Sequence, residues 1–153
     1  MECGAETARR GPGASSLLDA IRARTRQAGV ESKLSMAEAQ RTVLIVDDDP
    51  QVLRLVQKIL GSQPISILLA SGPAAALEIC ERQPVDLLIS DVVMPEMDGH
   101  KLVDRVLKRY PAATALLISG QYKDMPRNST RIRYLKKPFF PSDLIGHLRE
   151  LLP

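Results

Sequence analysis

Thr42-Val43-Leu44-Ile45-Val46-Asp47-Asp48-Asp49-Pro50 runs from five uncharged residues straight into three carboxylates and a proline. An apolar run without polar alternation marks a strand buried on both faces. Asp49 suits a helix N-cap and Pro50 the first helical turn. Val52, Leu53, Val56, Ile59 and Leu60 then recur at helical spacing as far as Gly61. One strand, a short acidic turn and one helix are therefore legible in twenty residues.

The same unit repeats toward the C-terminus. Ile65–Ala70 reads as a second strand and Pro73–Arg82 as a helix, with Pro84 ending the connection. Val85–Ser90 predicts a third strand that ends at Asp91. Asp98-Gly99 opens a helix with Leu102, Val103, Val106 and Leu107 turned inward. Thr114–Ser119 and Ile132–Lys136 predict strands four and five. Pro141 to Leu152 closes with an amphipathic helix carrying Leu144, Ile145, Leu148, Leu151 and Leu152. Strands alternating with helices imply right-handed crossovers and a parallel sheet covered on both faces. Five of them point to an α/β, flavodoxin-like, doubly wound sheet in the order 2-1-3-4-5. The stretch from Gln121 to Arg131 is polar, contains Pro126 and shows no helical stripe, so the fourth helix is expected to be shortened or absent.

Residues 1–40 differ from this pattern, and the α/β fold is expected over 41–153. The N-terminal tail is rich in Ala, Arg, Gly and Ser, and Gly11-Pro12-Gly13 interrupts it. Ser16–Ala28 predicts one short helix whose stripe is only Leu17, Leu18, Ile21 and Ala28, marginal in isolation. A flexible tail and a docking or dimerisation helix both stay open. Met36-Ala-Glu-Ala-Gln leads directly into the first strand, so Met36 is an alternative natural start.

Bulk properties narrow the function. A chain of 153 residues suits one domain with a tail. The net charge of +3 is spread along the sequence instead of clustered, so it does not argue for nucleic acid. Cys3 and Cys80 stand far apart with no metal-ligand spacing, and Cys80 reads as a small buried hydrophobe. Neither a membrane span nor a signal-peptide core is visible, which predicts a cytoplasmic protein.

Chemistry collects where ligands bind on such sheets, beyond the carboxyl ends of the strands. Strand 1 ends in Asp47-Asp48-Asp49, strand 3 in Asp91, strand 4 in Ser119, and strand 5 runs into Lys137. Each unshielded carboxylate pair about 4 Å apart opposes folding by roughly 4 kcal/mol at an effective dielectric near 20. The compensation expected is a hard divalent cation, and Mg²⁺ suits few carboxylates plus water and phosphate oxygens.

Val-Leu-Ile-Val-Asp47-Asp48-Asp49-Pro, Asp91-Val-Val-Met-Pro-Glu-Met-Asp98-Gly99 and Tyr134-Leu-Lys-Lys137-Pro-Phe139 together resemble response-regulator receiver domains over residues 41–153. The resemblance implies that Asp91 accepts a phosphoryl group from a histidine kinase or a histidine phosphotransfer protein. It implies Mg²⁺ held by Asp48, Asp91 and the main-chain carbonyl of Val93, with Asp47 acting through water. Lys137 would pair with Asp91, Ser119 would follow the phosphoryl group, Tyr134 would be the switch aromatic, and the bond before Pro138 would be cis. Such proteins are not enzymes beyond Mg²⁺-dependent self-phosphorylation and self-dephosphorylation, and they signal to a downstream protein by contact. The short fourth connection and Ser119-Gly120 are similar to receivers associated with hybrid sensor kinases.

Rival readings stand beside these. Asp49 and Asp98 read as helix caps, Asp86 as a surface or capping residue, Ser90 as a strand residue, and His100, His147 and Lys136 as solvated groups. Tyr134 could be simple packing. An Asp47-x-Asp49 phosphatase is disfavoured by Pro50. No helix-turn-helix follows the last helix, so direct DNA binding is not expected, while a homodimer is allowed. The alternative function is a receiver-fold binding module that regulates a partner without phosphorylation.

Overall fold

The computed structural model describes residues 40–121, 123 and 129–153. The readings made for 1–39, including the Ser16–Ala28 helix, lie outside the described residues, as does most of the Gln121–Arg131 connection. Strands β1 (Arg41–Val46), β2 (Ile65–Ala70), β3 (Leu87–Asp91), β4 (Thr114–Ser119) and β5 (Ile132–Lys136) form one sheet. All pairings are parallel, and the order is β2-β1-β3-β4-β5. Four helices are present among the described residues: α1 (Pro50–Leu60), α2 (Pro73–Arg82), α3 (Gly99–Arg109) and α4 (Pro141–Leu151). The flavodoxin-like order expected from the alternation is the one observed.

Strand periodicity divides the apolar residues between two cores. Val43, Ile45, Leu87, Ile89, Leu116 and Ile118 pack with α1 and α4 residues such as Val56, Leu60, Leu144 and Leu148. Leu44, Val46, Leu88, Ala115 and Leu117 pack on the opposite face with Ala76, Cys80, Leu102, Val103 and Val106. Successive strand side chains point to opposite faces, so a central strand with helices on both sides must be apolar throughout. That is why β1, β3 and β4 lack alternation. Fully burying one such side chain is worth about 1.5–3 kcal/mol.

Local chemistry sets the helix ends. Asp49 caps α1 by accepting from the Gln51 N–H at 2.9 Å, and Asp98 caps α3 by accepting from the Lys101 N–H at 3.1 Å. Asp143, in the first turn of α4, reaches back to accept from the Phe140 N–H at 3.0 Å. The Tyr110 hydroxyl donates to the Cys80 carbonyl at the end of α2, while Thr114 Oγ1 donates to the Leu151 carbonyl at the end of α4. β3 begins two residues later than the sequence suggests. Asp86 turns its carboxylate to the Thr42 N–H at 2.8 Å and pairs with Arg41 at 3.7 Å.

Candidate functional site

Register brings the strand tips level. Val46 pairs with Ser90, so Asp47 and Asp91 follow side by side. Asp91 pairs with Ile118, placing Ser119 one step beyond, and Ser119 pairs with Lys136. The Lys137 N–H then donates to the Ser119 carbonyl at 2.8 Å, which pins the start of the last loop to β4. The peptide bond Lys137-Pro138 is cis.

Asp47, Asp48 and Asp91 each offer a carboxylate oxygen within 4.8 Å of the others. Asp47 is buried, Asp91 half-buried and Asp48 exposed. The Lys137 ammonium lies 3.6 Å from Asp91 Oδ1 and 3.8 Å from Asp47 Oδ2. One ammonium against three carboxylates leaves an excess of two negative charges. Burial pushes the Asp47 carboxyl up to about 6; the Asp49 N–H, which donates to it at 2.8 Å, and Lys137 oppose the rise, while Asp91 and Asp48 add to it. This donor set fits a small hard cation: three carboxylate oxygens converge on one point, and the most deeply placed is starved of solvent. Val93 lies two residues past Asp91 in the following loop, with its side chain exposed.

Ser119 is buried, and its hydroxyl accepts from the Gln121 N–H at 3.1 Å and donates to the Gln121 carbonyl at 3.3 Å. The Tyr134 hydroxyl stands 3.5 Å from His100 Nδ1, with ring centroids 5.8 Å apart. Burial and the nearby charge of Asp104 raise the Tyr134 phenol. Asp47, Asp48, Asp91, Ser119 and Lys137 thus meet at one edge, while Tyr134 lies farther along β5 against α3. Ser90 donates to the Asp91 carbonyl at 2.9 Å and stays within the strand.

Sequence reasoning missed two neighbours of the site. His100 was read as an ordinary surface residue, yet it is half-buried against Tyr134. Gly99 was read, with Asp98, as opening a helix. Its backbone angle is ordinary, since no described glycine has positive φ. Glycine is needed instead because a Cβ there would lie 2.3 Å from the Asp91 carbonyl oxygen and 2.9 Å from Leu117 Cδ2. Only the register, which sets α3 against β3 and β4, could have disclosed either.

Beside Lys137 a cavity of about 390 Å³ opens, lined by Val52, Leu55, Pro138 and Phe139. Leu55, in this lining, is an exposed large apolar residue, as is Phe140, which follows Phe139 in the chain.

A flavodoxin-like sheet with an acid cluster, a hydroxyl and an ammonium at its switch point narrows the class of protein further than the sheet alone does. The response regulator receiver domain family matches residues 43–149, and the chain belongs to it. An uncharacterized 14.6 kDa protein of Leptolyngbya boryana is 34% identical over 118 residues, 73% of this chain and 90% of that protein. The sensor kinase CckA of Brucella abortus is 35% identical over 117 residues, 72% of this chain but 12% of that protein. The crystal structure of the receiver domain from the hybrid histidine kinase CckA superposes with a TM-score of 0.64 at 29% identity, covering 73% of this chain and 99% of that one. No helix among the described residues is long and apolar enough to cross a membrane.

Proposed function

We propose that the chain is a phosphoacceptor of a two-component relay, taking a phosphoryl group from a histidine kinase or a histidine phosphotransfer protein onto Asp91. The observation that carries this is the Lys137 ammonium, 3.6 Å from Asp91 Oδ1 inside a cluster of three carboxylates. A carboxylate oxygen of Asp91 attacks phosphorus, the phosphorus–nitrogen bond to the donor imidazole breaks, and the imidazole leaves with the electron pair. In the transition state the three equatorial phosphoryl oxygens carry charge that Lys137 would neutralise. Phosphoryl transfer depends on positioning and charge compensation more than on covalent help. Asp48, Asp91 and the Val93 carbonyl would hold Mg²⁺, with Asp47 acting through water; the ion would supply further compensation to the phosphoryl oxygens.

Beyond this self-phosphorylation and the matching self-dephosphorylation the chain is not an enzyme. It acts in the cytoplasm, where the ATP that charges a histidine kinase resides, and passes its state to a downstream protein by contact. Val52, Leu55, Pro138 and Phe139 adjoin Lys137, so a phosphodonor reaching Asp91 would cover them.

Intact mass after incubation with acetyl phosphate and Mg²⁺ tests the reading. Wild type should gain one phosphoryl group and Asp91→Asn none. An unmodified wild type would favour the phosphate-independent binding module, and labelled Asp91→Asn would move the acceptor elsewhere.

Lys137→Ala should still be phosphorylated but should lose the conformational response, because the ammonium links the acceptor to β5. The Gln121 amide reports this, since it donates to Ser119 Oγ. When Ser119 turns toward the phosphoryl group, exchange at that amide should speed up in wild type and not in Lys137→Ala. Lys137→Arg should also respond poorly, because a planar fork does not replace a compact ammonium. Equal acceleration in all three proteins would remove Lys137 from the switch.

A further inference from the structure

We infer that the free edge of β2 is a homodimerisation surface, on which a second copy of this chain adds its own β2 antiparallel to the first. Among the described residues β2 is the outermost strand beside β1. The Ala70 carbonyl accepts from the Asp47 N–H at 3.3 Å, so Ala70 faces β1. Backbone groups alternate sides along a strand. Ser66 and Leu68 therefore also face β1, and Ile65, Ile67 and Leu69 turn theirs to the open side. The Ile65 N–H is taken by the Gln63 carbonyl at 2.8 Å, which leaves Ile67 and Leu69 as the open donors of this edge among the described residues. Such an edge is a template for another strand.

Charge identifies the occupant. From Gly61 to Leu77, 17 consecutive residues contain no Asp, Glu, Lys or Arg, although 25% of the chain is charged and about four would be expected. Natural edges are commonly guarded by charge, especially lysine. The opposite edge does carry charge: Arg133 and Lys136 lie in β5 and Arg131 just before it, with Arg133 paired to Glu150 at 3.8 Å. β2 has no such guard, and Leu69 remains 37% exposed on it.

The strand is also complementary to itself. With the two-fold axis at Ile67, antiparallel pairing sets Ile67 opposite Ile67 of the second copy, and Ile65 opposite Leu69 in both directions. Ile67 then exchanges both backbone bonds with its counterpart, and at the outer pairs the Leu69 N–H donates to the Ile65 carbonyl, the Ile65 N–H being held by Gln63. Their side chains share one face and make a continuous cross-strand apolar row. The pairing consumes the edge on both copies, so assembly stops at a closed dimer with a ten-stranded sheet.

Sedimentation equilibrium of the full chain from micromolar to millimolar concentration tests this. The expected result is a monomer–dimer equilibrium that molar NaCl does not weaken, since no charge pair holds it. Leu69→Lys should raise the dissociation constant at least about tenfold by placing two ammonium groups in the apolar row. Its phosphorylation by acetyl phosphate should not change. Amide exchange of wild type gives a reading independent of any variant: Ile67 and Leu69 should gain protection as concentration rises. A chain that stays monomeric, assembles beyond dimers, or dimerises equally as Leu69→Lys without protecting those amides would overturn the proposal. A monomeric chain would leave the edge to a strand of another protein or to none.

Discussion

Gly99→Ala is expected to lower stability by about 2–4 kcal/mol, at the upper end of what overpacking costs, and to slow phosphorylation of Asp91. The new Cβ would sit 2.3 Å from the Asp91 carbonyl oxygen, against the main chain of the proposed acceptor. A flexible side-chain tip can rotate away, but β3 cannot, because Asp91 is held in register with Ile118. The start of α3 must move instead. That start is tied to the loop after Asp91 through the Gly99 N–H, which donates to the Val92 carbonyl at 2.8 Å. Moving it shifts the loop that follows Asp91, and misplacement on the order of 1 Å can cost about a hundredfold in rate. Thermal unfolding and the rate of labelling by acetyl phosphate measure the two effects separately. At roughly 2–4 °C per kcal/mol for a chain of this size, the melting temperature should fall by about 5–15 °C. An alanine variant with unchanged melting temperature and labelling rate would mean that α3 can retreat without disturbing Asp91.

The layout of the fold was readable because it rests on periodicity. Continuous apolar strands followed by capped amphipathic helices admit few arrangements other than a parallel sheet covered on both faces. The strand order then placed Asp47, Asp48, Asp91, Ser119 and Lys137 at one edge before any distance was known. What escaped depends on third-dimension neighbours that periodicity does not encode. Gly99 looks like a turn glycine in sequence, and only the approach of α3 to β3 shows that space, not backbone freedom, excludes a side chain. His100 lacks ligand spacing to any residue, and its neighbour Tyr134 is 34 positions away. Asp86 was readable as a surface or capping residue, but not as the group that takes the Thr42 N–H at the start of β3. The vulnerability of β2 lies between these cases. Its uncharged run is plain in sequence, yet it gains meaning only once β2 is known to be an edge.

Without metal the protein should be more stable near pH 5 than near pH 7, and Mg²⁺ should reverse much of that difference. Asp47 is the cause. Its carboxyl titrates near 3.8 when unfolded and is pushed up to about 6 in the fold, chiefly because burial strips water from the charged form. Between those values the folded state binds the proton more tightly than the unfolded state, so stability falls as pH rises from about 4 to about 6. Above pH 6 the full cost applies. At 1.36 kcal/mol per pKa unit it is about 3 kcal/mol, less whatever Lys137 and local relaxation recover. Asp47→Asn keeps an oxygen that can accept from the Asp49 N–H and removes the charge, so the metal-free variant should be more stable than wild type at pH 7 by about 1–3 kcal/mol. The two proteins should converge toward pH 4. A bound dication acts oppositely, since it favours the ionised cluster: at ten times its dissociation constant Mg²⁺ adds about 1.4 kcal/mol to wild type at pH 7. Asp48→Ala and Asp47→Asn should gain much less. Melting curves at pH 5 and pH 7, in EDTA and in millimolar Mg²⁺, separate the contributions. If metal-free wild type loses stability on going from pH 7 to pH 5 while Asp47→Asn does so to the same degree, the buried Asp47 carboxylate is not the strained group.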